Sequence, residues 1–335
     1  MKRYVFRRLL RVVPIVLLVS VATFALLHLA PGGPAAVMFG GRSVSDADLA
    51  RIERGLGLDR PLPVQYLQWL RRVFLGFDFG TSYTTGEPVS RMILARAGAT
   101  LELMGAAFAL AFVVALAAGA VSAARRDRFV DELFSVLSAA GMSMPVFWLG
   151  IVAIYVFSVR LGVLPSGGRE TIGAAGAADR LRHLALPAVV LASGFAASWS
   201  RYVRAQLLEV MSGEFVRTAR AKGLGEGTVL WKHALRPSLL PVLTVMVLHL
   251  PALFTGAVIT ETVFSWPGMG RLFYEGLARH DYPRVLGVVV VASFLVILAN
   301  LLGDVLNAAV DPRISLERGG VRAAERPAAP GRGVS

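Results

Sequence analysis

The chain has 335 residues, 55% of them hydrophobic and only 17% charged, against about 25% charged residues in a typical soluble domain. That composition excludes an ordinary soluble enzyme, and several apolar runs reach the roughly 20 residues a helix needs to cross a bilayer. The absence of cysteine rules out disulfides, thiolate metal sites and dithiol chemistry and leaves the redox compartment open; the net charge of +13 is explained by loop topology and anionic lipid, without nucleic acid.

Six apolar segments, at about Val12 to Ala30, Thr100 to Ala124, Leu133 to Val159, Leu184 to Ser200, Leu239 to Val263 and Val285 to Val310, predict an all-α polytopic membrane protein with six transmembrane helices. An unbroken apolar run of this length satisfies its backbone polar groups only as helix, whereas barrel strands alternate over about 10 residues. The first segment follows Lys2, Arg3, Arg7, Arg8 and Arg11 but is too long for a signal-peptide core, so it reads as an uncleaved anchor. Residues 31–98 then form an external segment too long to be a simple connector. Within it, Ser45 and Asp48 predict a capped short helix carrying Leu49, Ile52 and Leu56. After Pro61 and Pro63, an amphipathic stretch runs through Val64, Leu67, Leu70, Val73 and Phe74, with Tyr66 and Trp69 as interface aromatics.

In the later segments, Pro145 with Gly141 and Ser143 interrupts the third, and Ala118, Gly119, Ala139, Ala140 and Gly141 suggest close helix contacts. His249 beside Pro251 is the ionisable group nearest mid-membrane, at a position where proline kinks the helix. It is either path-lining or an imidazole hydrogen-bonded between helices. Trp266-Pro267-Gly268 is a gate or a turn, and Glu102, Glu261 and Asp304 sit near segment ends. Candidate path or gate residues are His249, Pro251, Glu261 and Trp266. The tail from Ser315 has no apolar periodicity and is expected to be disordered.

Lys and Arg are nearly twice as dense in residues 1–11, 125–132, 201–236 and 311–335 as in the intervening loops, which predicts that both termini are cytoplasmic. The longest inside loop, 201–237, reads as an extension of the fourth segment through Val210, a break at Ser212-Gly213 and a short helix from Glu214 to Ala221. A turn at Gly223 and Gly225 follows, then a helical stretch from Thr228 to Leu235 that ends at Pro237. So short a helix is marginal alone and makes sense seated in a partner's groove, with Phe215, Ala219 and Leu224 as an apolar stripe flanked by Arg217, Arg220 and Lys222.

The chain has no P-loop: a Walker A motif needs Gly-Lys, and Lys2, Lys222 and Lys232 follow Met1, Ala221 and Trp231. Ser193-Gly194 and His249 only superficially supply an intramembrane serine protease, because Leu191 stands where its signature wants glycine. No His-Glu-x-x-His or comparable metal spacing occurs. A secondary transporter or channel acting without ATPase partners is the alternative reading, disfavoured by the scarcity of ionisable groups deep in the segments.

Thr218-Ala219-Arg220-Ala221-Lys222-Gly223-Leu224, followed by His233-Ala234-Leu235-Arg236, resembles the cytoplasmic loop of ABC importer permeases of the dipeptide, oligopeptide and nickel family. The ordered set of Leu29-Ala30-Pro31-Gly32-Gly33-Pro34, Gly57 to Tyr66, Glu261 to Gly270, Asp281-Tyr282-Pro283 and Asp311 to Ile314 extends the resemblance over residues 1 to about 315, and it looks like the B-type inner-membrane subunit of a binding-protein-dependent system. The resemblance implies a type I ABC importer permease fold. An N-terminal segment and first helix (1–30) and the external segment (31–98) would precede a five-helix core (97–310) holding the coupling loop 201–237, with a tail at 311–335. It makes the short loop helix a coupling helix, so that Glu214, Phe215, Arg217, Thr218, Ala219, Arg220, Ala221, Lys222, Gly223 and Leu224 contact an ATPase. The implied partners are a homologous second permease, two cytoplasmic ABC ATPase subunits that bind ATP and Mg²⁺, an extracytoplasmic solute-binding protein and membrane lipid. This chain itself would hold no cofactor and do no bond-breaking chemistry. The implied solute is a dipeptide, oligopeptide or similar small molecule, with nickel, glutathione or an opine open. Two positions depart from the wider pattern: Arg217-Thr218-Ala219 replaces Glu-Ala-Ala, and Pro237 stands where a polar residue is expected.

Overall fold

The computed structural model describes residues 2–28, 54, 59–173 and 176–310. The helix expected around Ser45, the Pro31 to Pro34 motif, Asp311 to Ile314 and the tail lie outside them. The described residues form twelve helices: α1 (Lys2–His28), α2 (Leu62–Gly76), α3 (Val89–Ala124), α4 (Phe129–Ser143), α5 (Val146–Ala153), α6 (Ala177–Met211), α7 (Glu214–Ala221), α8 (Glu226–Thr228), α9 (Leu235–Leu248), α10 (Leu250–Val263), α11 (Met269–Ala278) and α12 (Tyr282–Val310). Two π-helical stretches, Ile154–Arg160 and Val229–Ala234, continue α5 and join α8 to α9. The described residues of the six apolar segments are mainly helical, and among the described residues α3, α6 and α12 are single helices long and apolar enough to cross a membrane; α4–α5 and α9–α10 are bent pairs, and the apolar part of α1 is the shorter Val13–Ala25.

Proline chemistry explains the larger bend. Met144 precedes Pro145 and is driven to extended backbone (φ −80°, ψ 124°), because the proline ring disfavours the α-region for the residue before it. Helix α4 therefore stops at Ser143, and the next helix leaves at 103°. The interruption expected at Pro145 is thus a sharp bend between two helices. Pro237 acts in the opposite sense. The helix expected to end there continues into α9, of which Pro237 is the third residue, directly after the π-helical stretch Val229–Ala234.

The core is a seam between α3 and α6. Ala99, Leu103, Ala107, Ala111, Ala115, Gly119 and Ala123 recur every fourth residue along α3 and are all buried, forming a ridge of mostly small side chains of the kind that lets two helices interdigitate. Against it lie Leu191, Ala192, Ala196, Trp199, Val203 and Leu207 of α6. At Gly119 an added Cβ would fall 2.6 Å from Val203 Cβ and 2.7 Å from the Ser200 carbonyl oxygen. We expect Gly119→Val to cost about 1–3 kcal/mol through overpacking, read as a lower melting temperature in detergent; an unchanged melting temperature would contradict close packing here.

Helix α2 packs on α1 through polar and aromatic contacts. Tyr66 Oη lies 2.7 Å from Ser20 Oγ and Gln65 Oε1 lies 2.9 Å from His28 Nε2, while Phe24, Tyr66 and Trp69 cluster. The two aromatics expected at the membrane interface are therefore engaged with α1.

Buried carboxylates pin both ends of the bundle. At the α7 end, Asp131 of α4 takes a bidentate pair of bonds from Arg204 of α6 (2.6 and 2.7 Å), with further bonds from Ser122 Oγ and the Asp127 N–H. The Arg204 guanidinium, with Ser122 and the Asp127 N–H, outweighs burial and holds the Asp131 carboxyl well below the usual carboxylate range. At the opposite end, Asp281 accepts bonds from the hydroxyls of Ser82 and Thr84 and the N–H of Tyr83, and pairs with Arg284 at 3.4 Å. This ties the 77–88 loop to the start of α12.

Candidate functional site

Helix α7 is defined by glycines at both ends. Gly213 is its N-cap in extended backbone, and Gly223 follows it with φ +80°, a conformation only glycine adopts without strain. The Gly223 N–H donates to the Arg220 carbonyl (2.9 Å) and the Leu224 N–H to that of Ala219 (3.4 Å), the paired bonds of a Schellman cap. Val216 and Ala219 turn inward onto Val229. Phe215 is 50% exposed, and Leu224 and Trp231 are also exposed. The expected stripe of Phe215, Ala219 and Leu224 is therefore split, with Ala219 facing the chain's own next helix and Phe215 and Leu224 facing away. Glu214, Arg217, Thr218, Arg220, Ala221 and Lys222 are exposed around them. Arg217 pairs with Glu214 (2.9 Å) and Arg220 with Glu226 (2.8 Å). Such exposed pairs contribute little stability but hold the side chains in place. The result is a short capped helix presenting an aromatic and basic face at one end of the bundle.

Near the middle of the fifth apolar segment, α9 and α10 meet at a 44° bend. His249 occupies the junction and Pro251 the first turn of α10. Trp199 Nε1 donates to His249 Nδ1 at 2.8 Å, so this imidazole does join two helices. Pro251 lies with Phe108, Met104, Phe254 and Leu295 on an apolar cavity of about 340 Å³ between α3, α10 and α12. Glu261 and Trp266 are elsewhere, both fully buried. Thr100 Oγ1 donates to Glu261 Oε1 (2.7 Å), the Arg271 N–H to Oε2 (3.0 Å) and Trp266 Nε1 to the Ala99 carbonyl (2.8 Å). The carboxylate thus sits at the N-terminus of α11, where free N–H groups and the helix dipole favour an anion. A Cβ on Gly268 would fall 2.2 Å from that carboxylate, so Trp266-Pro267-Gly268 is a tight turn that wraps Glu261 and docks α11 on α3.

A bent bundle of this kind is found in the inward-facing methionine ABC transporter MetNI, matched with TM-score 0.54 and 22% identity over 66% of this chain and 96% of that one; the likeness establishes the type I permease fold. The sequence family described as binding-protein-dependent transport system inner membrane component matches residues 115–316, and its N-terminal companion matches residues 1–104. The chain belongs to this family of ABC importer permeases. The permease is 41% identical to the oligopeptide transport system permease protein AppB of Bacillus subtilis, over 94% of this chain and 99% of that protein. It is 40% identical to the di/tripeptide transport system permease protein DppB of Pseudomonas aeruginosa (95% and 100%), and 38% to the glutathione transport system permease protein GsiC of Salmonella paratyphi A (94% and 99%). It is accordingly a multi-pass protein of an inner-membrane permease family.

Several residues of the permease that position these surfaces carry no sequence signal of their role. Trp199 is one of many apolar residues on α6, and Asp131 and Arg204 are 73 residues apart. Glu102 is held by Arg169 (3.0 Å) and Arg180 (2.9 Å), which ties the loop before α6 to α3. Among the described residues no group of three or more His, Asp or Glu could hold a metal ion.

Proposed function

We propose that the permease lines, together with a homologous second permease, the path by which an ABC importer carries di- or oligopeptides, with both termini in the cytoplasm. Two cytoplasmic ATPase subunits bind ATP and Mg²⁺, one of them seated on α7, and an extracytoplasmic binding protein delivers the solute to the opposite end. The observation that carries the reading is the face of α7. Phe215 on α7 and Leu224 just after it are exposed, as is Trp231, while the inner side of the helix is already satisfied by Val229, as a helix built to enter another protein's groove requires. The chain has no Gly-Lys of a P-loop, so the energy must come from that neighbour. The named relatives favour peptides, and glutathione, itself a peptide, stays within the same class.

The test is to extract the tagged chain in mild detergent from its native host and identify co-purifying subunits by mass spectrometry. The complex is then reconstituted for uptake of labelled di- and oligopeptides, with glutathione as competitor. Two P-loop ATPases and a second permease are expected. A chain that emerges alone and moves solute without ATP would refute the coupling role of α7.

A further inference from the structure

His249 lies near the centre of the fifth apolar segment, and its two ring nitrogens have opposite fates. Nδ1 accepts the Trp199 Nε1–H at 2.8 Å, with the ring planes only 9° apart. A tryptophan N–H can only donate, so Nδ1 carries no proton, and the single proton of the neutral imidazole is on Nε2. Among the described residues nothing accepts from Nε2, and that atom is not among those sealed from the exterior without a partner. Apolar groups lie close by: Phe195 approaches with its ring centroid 6.3 Å away, and Leu250 and Pro251 follow in sequence. An N–H turned to hydrocarbon at this depth would cost several kcal/mol. An accessible polar donor at mid-membrane therefore belongs on a surface that meets water or solute.

We propose that the His249 Nε2–H donates to a carbonyl oxygen of the peptide as it passes the bend between α9 and α10, with Trp199 as the positioning residue that sets the tautomer. This rests on the peptide-permease reading above. A peptide supplies carbonyl oxygens at every residue whatever its side chains, so one donor suits a path that accepts many sequences. Trp199 is itself held on the α3–α6 seam, edge-on to Phe108 at 5.3 Å between ring centroids, which keeps the imidazole from turning.

Two substitutions separate this role from a structural one, tested in proteoliposomes of the complete transporter with its binding protein and labelled trialanine. His249→Asn keeps an acceptor for Trp199 at the Nδ1 position and removes the outward donor. His249→Gln places an amide donor near the Nε2 position and gives up the Trp199 bond. We expect Asn to slow uptake about tenfold, as for loss of one desolvated hydrogen bond, with an unchanged melting temperature and intact subunit composition, and Gln to restore most of the rate. Wild-type uptake by Asn would overturn the proposal. So would a Gln variant as slow as Asn with a lowered melting temperature, which would make the Trp199 bond the whole function, or loss of the second permease from the Asn complex, which would make Nε2 an interface donor. If the wild-type complex hydrolyses ATP but takes up no trialanine, the peptide reading itself fails.

Discussion

Gly223→Pro is expected to leave the permease folded in the membrane while lowering ATP-driven uptake at least tenfold. Gly223 has φ +80°, whereas proline is held near −65°, so the chain cannot turn at this point as it does now. Proline also removes the N–H that donates to the Arg220 carbonyl, and with it half of the cap that ends α7. Nothing lies within 4 Å of a Cβ at this position, so the damage is conformational and local, and the α3–α6 seam is untouched. Gly223→Ala supplies a graded control: it keeps the N–H and meets only the left-handed penalty of about 1–2 kcal/mol, so its uptake is expected to lie between wild type and proline. The measurement pairs uptake with the ATPase rate stimulated by the binding protein. Wild-type uptake by the proline variant would show that the geometry of α7 does not transmit the ATPase stroke.

Asp281→Ala is expected to have the largest effect on stability, about 3–5 kcal/mol, because it strands a buried cation. Asp281 is fully buried and Arg284 is 2% exposed. Without the carboxylate, Arg284 keeps only its bonds to the Ser82 and Thr84 hydroxyls (both 3.1 Å), and the Tyr83 N–H loses its acceptor. Burial pushes the Asp281 carboxyl up, but the Ser82 and Thr84 hydroxyls, the Tyr83 N–H and Arg284 outweigh it and hold its pKa below the ordinary value. A carboxyl depressed on folding stabilises above its unfolded pKa of about 3.9, and that stabilisation is lost as pH falls through the folded value. The gap in melting temperature between wild type and Asp281→Ala should therefore be widest near neutrality and narrow below about pH 4. A gap that stays constant into acid would mean that the substitution acts through packing and not through the charge. The same pocket pushes the Tyr83 phenol up to about 12, through burial and then the charge of Asp281, so Tyr83 should titrate closer to an ordinary tyrosine in the variant.

The sequence alone was sufficient for the features that local preference decides. The apolar segments are helices because hydrocarbon demands internal backbone bonds. The bounds of α7, Glu214–Ala221, could be read in advance because a glycine flanks each end, and the end of α4 follows from Pro145 acting on its own neighbour. The motif Glu261 to Gly270 marked the family by its residues, yet their job was invisible, since it depends on Thr100 lying 161 residues away and on the start of α11. Helical periodicity likewise puts Ala219 close to both Phe215 and Val216, four and three positions before it, but does not decide which of the two it shares its environment with; the fold turns Val216 and Ala219 onto Val229 and leaves Phe215 exposed. His249 was conspicuous as a histidine among apolar residues, but only its approach to Trp199, 50 positions earlier, decides which nitrogen carries the proton. Hydropathy and backbone propensity act over a few residues and are written in order along the chain; the partner of a buried polar atom is chosen by which helices pack together, and that choice exists only once the bundle has formed.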